Sequence, residues 1–151
     1  MTPNPIILRP VAAADFDAWL PLWRAYQAFY KSDIPHATTL VTWQRMLDAN
    51  EPIWAALAWR GERAVGMAHC IFQRSCWTVE HTCYLQDLFV VPDLRNSGLG
   101  RRLIEHVGAQ ARAAGSTGIQ WMTHETNTTA RLLYDRIAVR TGHLQYEQKF
   151  N

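Results

Sequence analysis

The chain has 151 residues, of which 48% are hydrophobic and 19% charged, and seven are tryptophans. This length and composition predict one globular domain over 1–151 and exclude an intrinsically disordered chain. The formal net charge of +2, with no basic run longer than Arg101-Arg102, argues against nucleic-acid binding. Three cysteines, no secretory leader and no apolar run near the ~20 residues of a membrane span predict a cytoplasmic protein without a disulfide framework or a membrane partner.

The first half of the chain predicts a strand, two helices and a hairpin. Residues 6–10 form a short apolar strand, and aromatic side chains recur at helical spacing over 12–30. A second helix is predicted over 39–50, with Thr39 as its N-cap. Two apolar runs in 52–73 flank the turn "RGER", which is typical of two antiparallel strands.

The second half alternates strands and helices. Strands are predicted over 81–92, 115–124 and 143–150, and helices over 98–114 and 126–142. The first of these helices carries its apolar residues on one face: Leu99, Leu103, Ile104, Val107 and Ala111. The order predicts a mixed α/β sheet with at least one strand-helix-strand crossover.

The loop "RNSGLG" at 95–100 joins a strand to a helix. Its glycines place free backbone N–H groups at a helix N-terminus, where the dipole favours an anion such as phosphate. No Gly-Lys-Ser/Thr follows, and the residue three after Gly100 is Leu103, so neither the Walker loop nor the dinucleotide fingerprint is present. A tight corner with solvated arginines remains the alternative to a phosphate site.

In its setting this loop resembles the acetyl-CoA-binding signature of the GNAT superfamily of N-acetyltransferases. "YLQDLFVVPDLRNSGLG" is similar to the strand and loop of diamine acetyltransferases, and "NTTARLLY" to the family's next helix. "THETN…LLY" is similar to the branch with histone, polyamine and amino-acid acetyltransferases. The resemblance implies an α/β (α+β) fold, with a mixed, mainly antiparallel sheet of 6–7 strands flanked by about four helices. It also implies a cleft where the fourth and fifth strands splay apart.

The resemblance further implies that acetyl-CoA is the cosubstrate. Backbone groups of Leu88 and Val90 would pair with the pantetheine arm, and N–H groups of 96–101 would bind the pyrophosphate. A bulge in the strand at 84–91 would free an N–H near Leu88 to polarise the thioester carbonyl. The implied cofactor contacts are Leu88, Phe89, Val90, Arg95, Asn96, Ser97, Gly98, Leu99, Gly100, Arg101, Asn127, Ala130 and Tyr134.

Acetyl transfer to an amine needs proton handling, because an alkyl amine with a pKa of ~10.4 is almost entirely protonated at neutral pH. The resemblance places Tyr134 as the acid that protonates the departing thiolate; the alternative is a core tyrosine. The diamine branch has a Glu where this chain has Gln86, and an amide cannot accept a proton. We expect Gln86 to orient a water that passes the proton to Asp87, Glu125 or solvent, although Asp87 could instead be a partnered structural carboxylate.

The acceptor is a small primary amine, a polyamine or an amino acid in the leading hypothesis, with direct attack in a ternary complex. The predicted substrate contacts are Tyr26, Tyr30, Gln86 and Glu125. A protein-lysine acetyltransferase and a noncatalytic acyl-CoA sensor on the same fold are the alternatives. His81 and the three cysteines match no metal motif, so no metal is predicted. A homodimer through 143–150 is expected by analogy with the family.

Overall fold

The computed structural model describes residues 4–150. Within them the chain divides into two compact units, one ending at Trp121 and the other beginning at Met122. The single domain predicted over 1–151 remains a prediction.

The first unit is built on a sheet of five strands whose order in space follows their order in the chain. The strands are β1 (Ile6–Pro10), β2 (Ile53–Arg60), β3 (Arg63–Gln73), β4 (Thr82–Val90) and β5 (Ile119–Gln120). Its helices are α1 (Phe16–Phe29), α2 (His36–Leu47) and α3 (Leu99–Ala113). The first three strand pairings are antiparallel, and β4 pairs with β5 in parallel across the α3 crossover. This confirms the predicted α/β class, although five strands, not 6–7, lie within residues 4–150.

β4 contains a bulge at Gln86. His69 of β3 pairs with Asp87, but the next residue, Cys70, pairs with Leu85, so Gln86 is an additional residue in β4. Since paired side chains share a face, Leu85 and Asp87 lie on opposite faces although they are two residues apart. The structure thus confirms the expected bulge and shows that the alternation reverses there.

One face of the sheet packs on α3 through apolar side chains. A Cβ added to Gly66 of β3 would lie 3.0 Å from Leu103 Cδ1, so strand and helix are in direct contact. The predicted apolar face of α3 is buried at every position: Leu99, Leu103, Ile104, Val107 and Ala111. Each large side chain buried in this way contributes roughly 1.5–3 kcal/mol to stability.

The opposite face is covered by aromatic rings from α1 and α2. The Trp19 ring of α1 is fully buried, 4.8 Å from the Trp43 ring of α2 and 6.1 Å from the Trp23 ring. Stacked and tilted rings at these distances are favourable arrangements of aromatic side chains. The aromatic spacing that predicted α1 therefore marks the residues that attach both helices to the sheet.

The predicted N-cap of α2 is wrong. The helix begins at His36, and Pro35 occupies the cap position with φ −53°. Pro35 provides the required φ without side-chain capping, which allows the helix to start three residues before Thr39. The Thr39 hydroxyl is buried and accepts a hydrogen bond from Trp23 Nε1 at 3.2 Å.

The second unit contains α4 (Thr128–Ile137), which ends earlier than the predicted helix over 126–142. Residues 143–150 form no strand, so the predicted last strand is wrong for this part of the chain. Alternating side chains make a strand only where a neighbour pairs with the backbone N–H and C=O groups. Leu144 and Tyr146 are 78% and 88% exposed. The homodimer expected through this segment remains a prediction.

Candidate active site

The edge of β4 after the bulge has no strand beside it among residues 4–150. β5 pairs with β4 only at the second and third residues of β4. The Val91 N–H donates to the Val65 carbonyl on the β3 side at 3.0 Å. Because backbone groups alternate in direction, those of Leu88 and Val90 point away from β3. The backbone groups of the two residues predicted to pair with pantetheine thus lie on an edge that no strand among residues 4–150 covers.

The loop after β4 ends at an uncapped helix N-terminus. Asn96 and Gly98 have positive φ values of 64° and 84°, and Gly98 is the N-cap of α3 without a side-chain hydrogen bond. The Ser97 hydroxyl donates to the Leu94 carbonyl and stabilises the turn. A Cβ added to Gly98 would meet nothing within 4 Å. The first N–H groups of α3 thus lack a side-chain cap at the positive end of the helix dipole.

Arg95 connects this loop to the end of α1. Its Nε donates to the Val90 carbonyl at 3.2 Å. Its guanidinium carbon lies 5.7 Å from the centre of the Phe89 ring and 5.9 Å from that of Phe29, within cation-π range. Arg95, which was predicted to contact the cofactor, thus holds the loop against the sheet and α1 in this structure.

The remaining predicted loop contacts differ in exposure. Leu99 is buried in the core, so only its backbone can reach a ligand, and Gly100 is half-buried. Arg101 is exposed and its Nε donates to Glu105 Oε1 at 2.9 Å, one helical turn away. The backbone of the first turn of α3 is therefore better placed than its side chains to receive an anion.

On the α1 face, Asp87 belongs to a buried chain of hydrogen bonds that no sequence motif indicates. Asp87 Oδ2 lies 2.9 Å from His69 Nδ1, and Trp19 Nε1 donates to His69 Nε2 at 2.9 Å. The His69 side chain is 2% exposed and that of Asp87 15%. Since an indole N–H can only donate, His69 Nε2 accepts, and the proton of the neutral imidazole resides on Nδ1 and is donated to Asp87. Asp87 is therefore a partnered carboxylate.

Tyr26 and Tyr30 extend this chain toward solvent at the end of α1. Burial, and then the neighbouring Asp87 carboxylate, raise the pKa of the Tyr26 phenol far above its usual value, so this group stays neutral. The Tyr26 ring lies 4.9 Å from the Tyr30 ring and 6.2 Å from the Phe89 ring. Tyr30 is 51% exposed. The structure thus brings Tyr26 next to Asp87, and Tyr30 packs on Tyr26 at the exposed end of α1.

Gln86 is exposed at the bulge itself. Its amide can orient a water but cannot take a proton. The residue after it, Asp87, is the nearest carboxylate along the strand and lies on the α1 face. The bulge thus presents an amide and a carboxylate side by side in sequence at the start of the uncovered edge.

The other predicted site residues lie in the second unit. Asn127 is the N-cap of α4, and its Oδ1 accepts from the Ala130 N–H at 3.4 Å. Helix capping therefore explains the three-residue spacing of Asn127 and Ala130. Glu125 is exposed, and its carbonyl accepts from Arg131 Nη1 at 2.7 Å. Tyr134 is half-buried on α4.

The cysteines are free thiols, with Cys70 and Cys83 buried and Cys76 exposed. His81 Nδ1 lies 2.6 Å from the Ser116 hydroxyl. Within residues 4–150, no three His, Cys, Asp or Glu side chains come together as a metal site requires.

A comparison with family models decides the identity of the fold. The model of the acetyltransferase (GNAT) family matches residues 18–138. This chain belongs to the GNAT family. It is therefore an acyltransferase, as the strand and loop motifs predicted. The D-amino-acid N-acetyltransferase HPA3 of Saccharomyces cerevisiae is 34% identical over 150 residues, covering 98% of this chain and 93% of that protein.

Other relatives extend the comparison. The thialysine N-epsilon-acetyltransferase of Caenorhabditis elegans is 28% identical over 88 residues, or 58% of this chain and 54% of that protein. The aminoglycoside N-acetyltransferase AAC(6')-Iy, solved in complex with CoA, superposes with a TM-score of 0.85 at 17% identity, covering 98% of this chain and 97% of that one. The last likeness establishes the shared GNAT fold. Within residues 4–150 we find no helix that combines the length and apolarity needed to cross a membrane.

Proposed function

We propose that this enzyme transfers an acetyl group from acetyl-CoA to the primary amine of a small molecule, by direct attack in a ternary complex. The C–S bond of the thioester breaks and a C–N bond forms, and the ammonium of the acceptor loses two protons, one of which ends on the CoA thiol. The observation that carries the proposal is the uncovered edge of β4 leading into the uncapped N-terminus of α3.

The donor fits these features by its chemistry. The pantetheine arm has amides at roughly peptide spacing, so the outward backbone groups of Leu88 and the outward N–H of Val90 can pair with it as a neighbouring strand would. The Val90 carbonyl already accepts from Arg95 Nε. Diphosphate oxygens suit the first N–H groups of α3, and the open space over Gly98 admits them. An N–H at Leu88 would stabilise the negative charge that develops on the thioester oxygen.

An amino acid is the acceptor class that we propose first. HPA3, named for D-amino acids, aligns with nearly the whole of this chain. The Asp87 carboxylate provides negative charge for an ammonium group, and the rings of Tyr26, beside Asp87, and Tyr30, beside Tyr26, provide cation-π faces. Polyamines and aminoglycosides carry the same ammonium chemistry and form the second arm of the test.

For the leaving group we propose Tyr134 as the acid that protonates the thiolate. Its support is its position in "NTTARLLY" on α4, which follows the family pattern. A phenol with a pKa of ~10 can protonate a thiolate whose conjugate acid has a pKa near 8.5 when it is held close to the sulfur. Gln86 would orient the water on the acceptor side.

The test is thiol release from acetyl-CoA with a panel of D- and L-amino acids, polyamines, aminoglycosides and a lysine peptide. We expect turnover with at least one small amine. Tyr134→Phe should lower kcat about tenfold or more, since general acid catalysis contributes ~10²–10⁴. Tyr146→Phe, which alters an exposed tyrosine of the same unit, is the matched control.

Two outcomes would contradict the proposal. Acetyl-CoA binding without thiol release for any amine or peptide would favour the noncatalytic sensor. Turnover of the lysine peptide alone would favour the protein-lysine acetyltransferase.

A further inference from the structure

We propose that Asp87 receives the proton of the acceptor ammonium, in the role for which Gln86 lacks the chemistry, and that Trp19 and His69 are positioning residues that keep Asp87 anionic. This inference rests on the proposed function. Its basis is the Trp19-His69-Asp87 chain of hydrogen bonds and its continuation through Tyr26 toward solvent.

Asp87 has the access and the position that the role requires. Its side chain is 15% exposed, whereas that of its partner His69 is 2% exposed. The bulge at Gln86 turns Asp87 onto the α1 face, where Tyr26 and the exposed Tyr30 lie.

Trp19 determines the protonation state of His69. Its Nε1–H points at His69 Nε2 at 2.9 Å, so a proton on Nε2 would bring two donors together and lose the hydrogen bond. His69 consequently remains neutral and donates from Nδ1 to Asp87. A neutral donor orients the carboxylate while leaving its negative charge for the ammonium, whereas an imidazolium would compensate that charge.

The titratable groups around His69 and Asp87 do not compete with Asp87 for the ammonium proton at neutral pH. From α1, Tyr26 faces Asp87, with Tyr30 on its other side, and burial raises the pKa of Tyr26. From β3, Cys70 carries a thiol whose pKa is raised, first by its interaction with Cys83 and then by burial. From β4 itself, burial and the Asp87 carboxylate raise the pKa of Tyr84. From α2, the Trp43 ring packs on Trp19 and has no titratable group.

The acceptor R–NH₃⁺ gives one proton to Asp87 through a water and becomes R–NH₂. The nitrogen forms the C–N bond as the C–S bond breaks, and the second amine proton ends on the sulfur as CoA thiol. Asp87 returns its proton to solvent, so each turnover releases one proton.

The experiment compares pH profiles of kcat and of kcat/KM for the wild type, Asp87→Asn, Trp19→Phe and Trp54→Phe, with thermal unfolding as the check of folding. Trp54 is the matched control, because its buried Nε1 makes no hydrogen bond. Asp87→Asn should lower kcat about a hundredfold or more at pH 7 and regain activity as pH rises, because free amine then replaces the lost base. Trp19→Phe should show a new loss of activity below about pH 6.5, where free imidazoles gain a proton, and near-normal activity at pH 8.

The outcomes separate the two proposals. A wild type that turns over no amine overturns the proposed function and this inference with it. An active wild type whose Asp87→Asn variant keeps kcat within about threefold at every pH overturns the inference alone, as does a Trp19→Phe profile parallel to that of Trp54→Phe. Ring ¹⁵N NMR of wild-type His69 provides a test that needs no variant to fold. We expect the ring proton on Nδ1 and none on Nε2 at pH 7, as the hydrogen bonds require, and a proton on Nε2 at that pH would contradict the inference.

Discussion

The two faces of the central sheet bury different kinds of side chain. On the α3 face, Gly66 and Leu103 meet in an apolar contact. On the α1 face, aromatic rings enclose two polar side chains, His69 and Asp87. Trp19 Nε1 donates to His69, and His69 is hydrogen-bonded to Asp87. Buried polar groups cost stability unless each of them has a hydrogen-bond partner, and apolar side chains on this face would avoid that requirement. A buried hydrogen-bond chain therefore points to a role other than stability. We infer that the α3 face provides stability and the α1 face provides chemistry.

A substitution on the α3 face should have the largest effect on the stability of the protein. Leu103→Ala removes a fully buried side chain from the contact with β3 and should lower the free energy of unfolding by about 2–5 kcal/mol. Denaturant unfolding measures this loss. At temperatures where the variant is folded, its pH profile of activity should keep the wild-type shape. A changed profile would show that the faces are not separate in function.

A smaller effect distinguishes the two ends of α3. Gly98 and Gly115 have φ values of 84° and 89°, and a Cβ on either would meet nothing within 4 Å. Alanine at each position should therefore cost similar backbone strain, on the order of 1 kcal/mol. Gly98→Ala alone should weaken acetyl-CoA binding, about tenfold by calorimetry, because its Cβ occupies the space that the diphosphate would enter. Equal affinities of the two variants would contradict the phosphate site.

The smallest effect tests a conventional ion pair on the α1 side. Asp15 accepts from Arg9 Nη1 at 2.8 Å and from the Ala12 N–H at 2.8 Å, and the hydrogen bond from Arg9 holds the pKa of Asp15 below its usual value. A lowered pKa in the folded state stabilises the protein above about pH 4 and ceases to do so as pH falls through it. Asp15→Asn should cost about 1–2 kcal/mol at pH 7 and little near pH 2.

The control for that variant is Asp93→Asn. Asp93 pairs with Arg63 at 3.2 Å, but both side chains are more than half exposed. Its substitution should change the unfolding midpoint less than Asp15→Asn does, and the change should shrink further in high salt. If Asp93→Asn lowers the unfolding midpoint as much as Asp15→Asn does, burial does not explain the contribution of Asp15 to stability.

The parts of this fold that local spacing determines were predictable. The five apolar positions of α3 follow a helical period and are all buried, and the loop to Gly98 was located by its glycines and its motif. The strand over 143–150 was mispredicted, because alternation shows which side chains share a face and not whether a neighbouring strand exists.

The chemistry of the α1 face was not predictable in the same way. The motif shows Gln86 as a departure from the family pattern, but it does not distinguish between a proton-accepting and a structural role for its neighbour Asp87. His69 precedes Asp87 by 18 residues, on another strand, and meets it only through the register that the bulge sets. The indole of Trp19 is 50 residues before His69. The local sequence around each of these residues contains no signal for such a contact.

In the proposed function, the bulge in β4 opens an edge for the donor and turns Asp87 toward the acceptor. Amide hydrogen exchange with and without acetyl-CoA tests the donor side of this proposal. We predict slower exchange at Leu88 and Val90 and over 97–101, with β2 unchanged. Protection confined to the 480 Å³ cavity between α1 and α2, lined in part by Arg24, Asp33 and His36, would contradict the account.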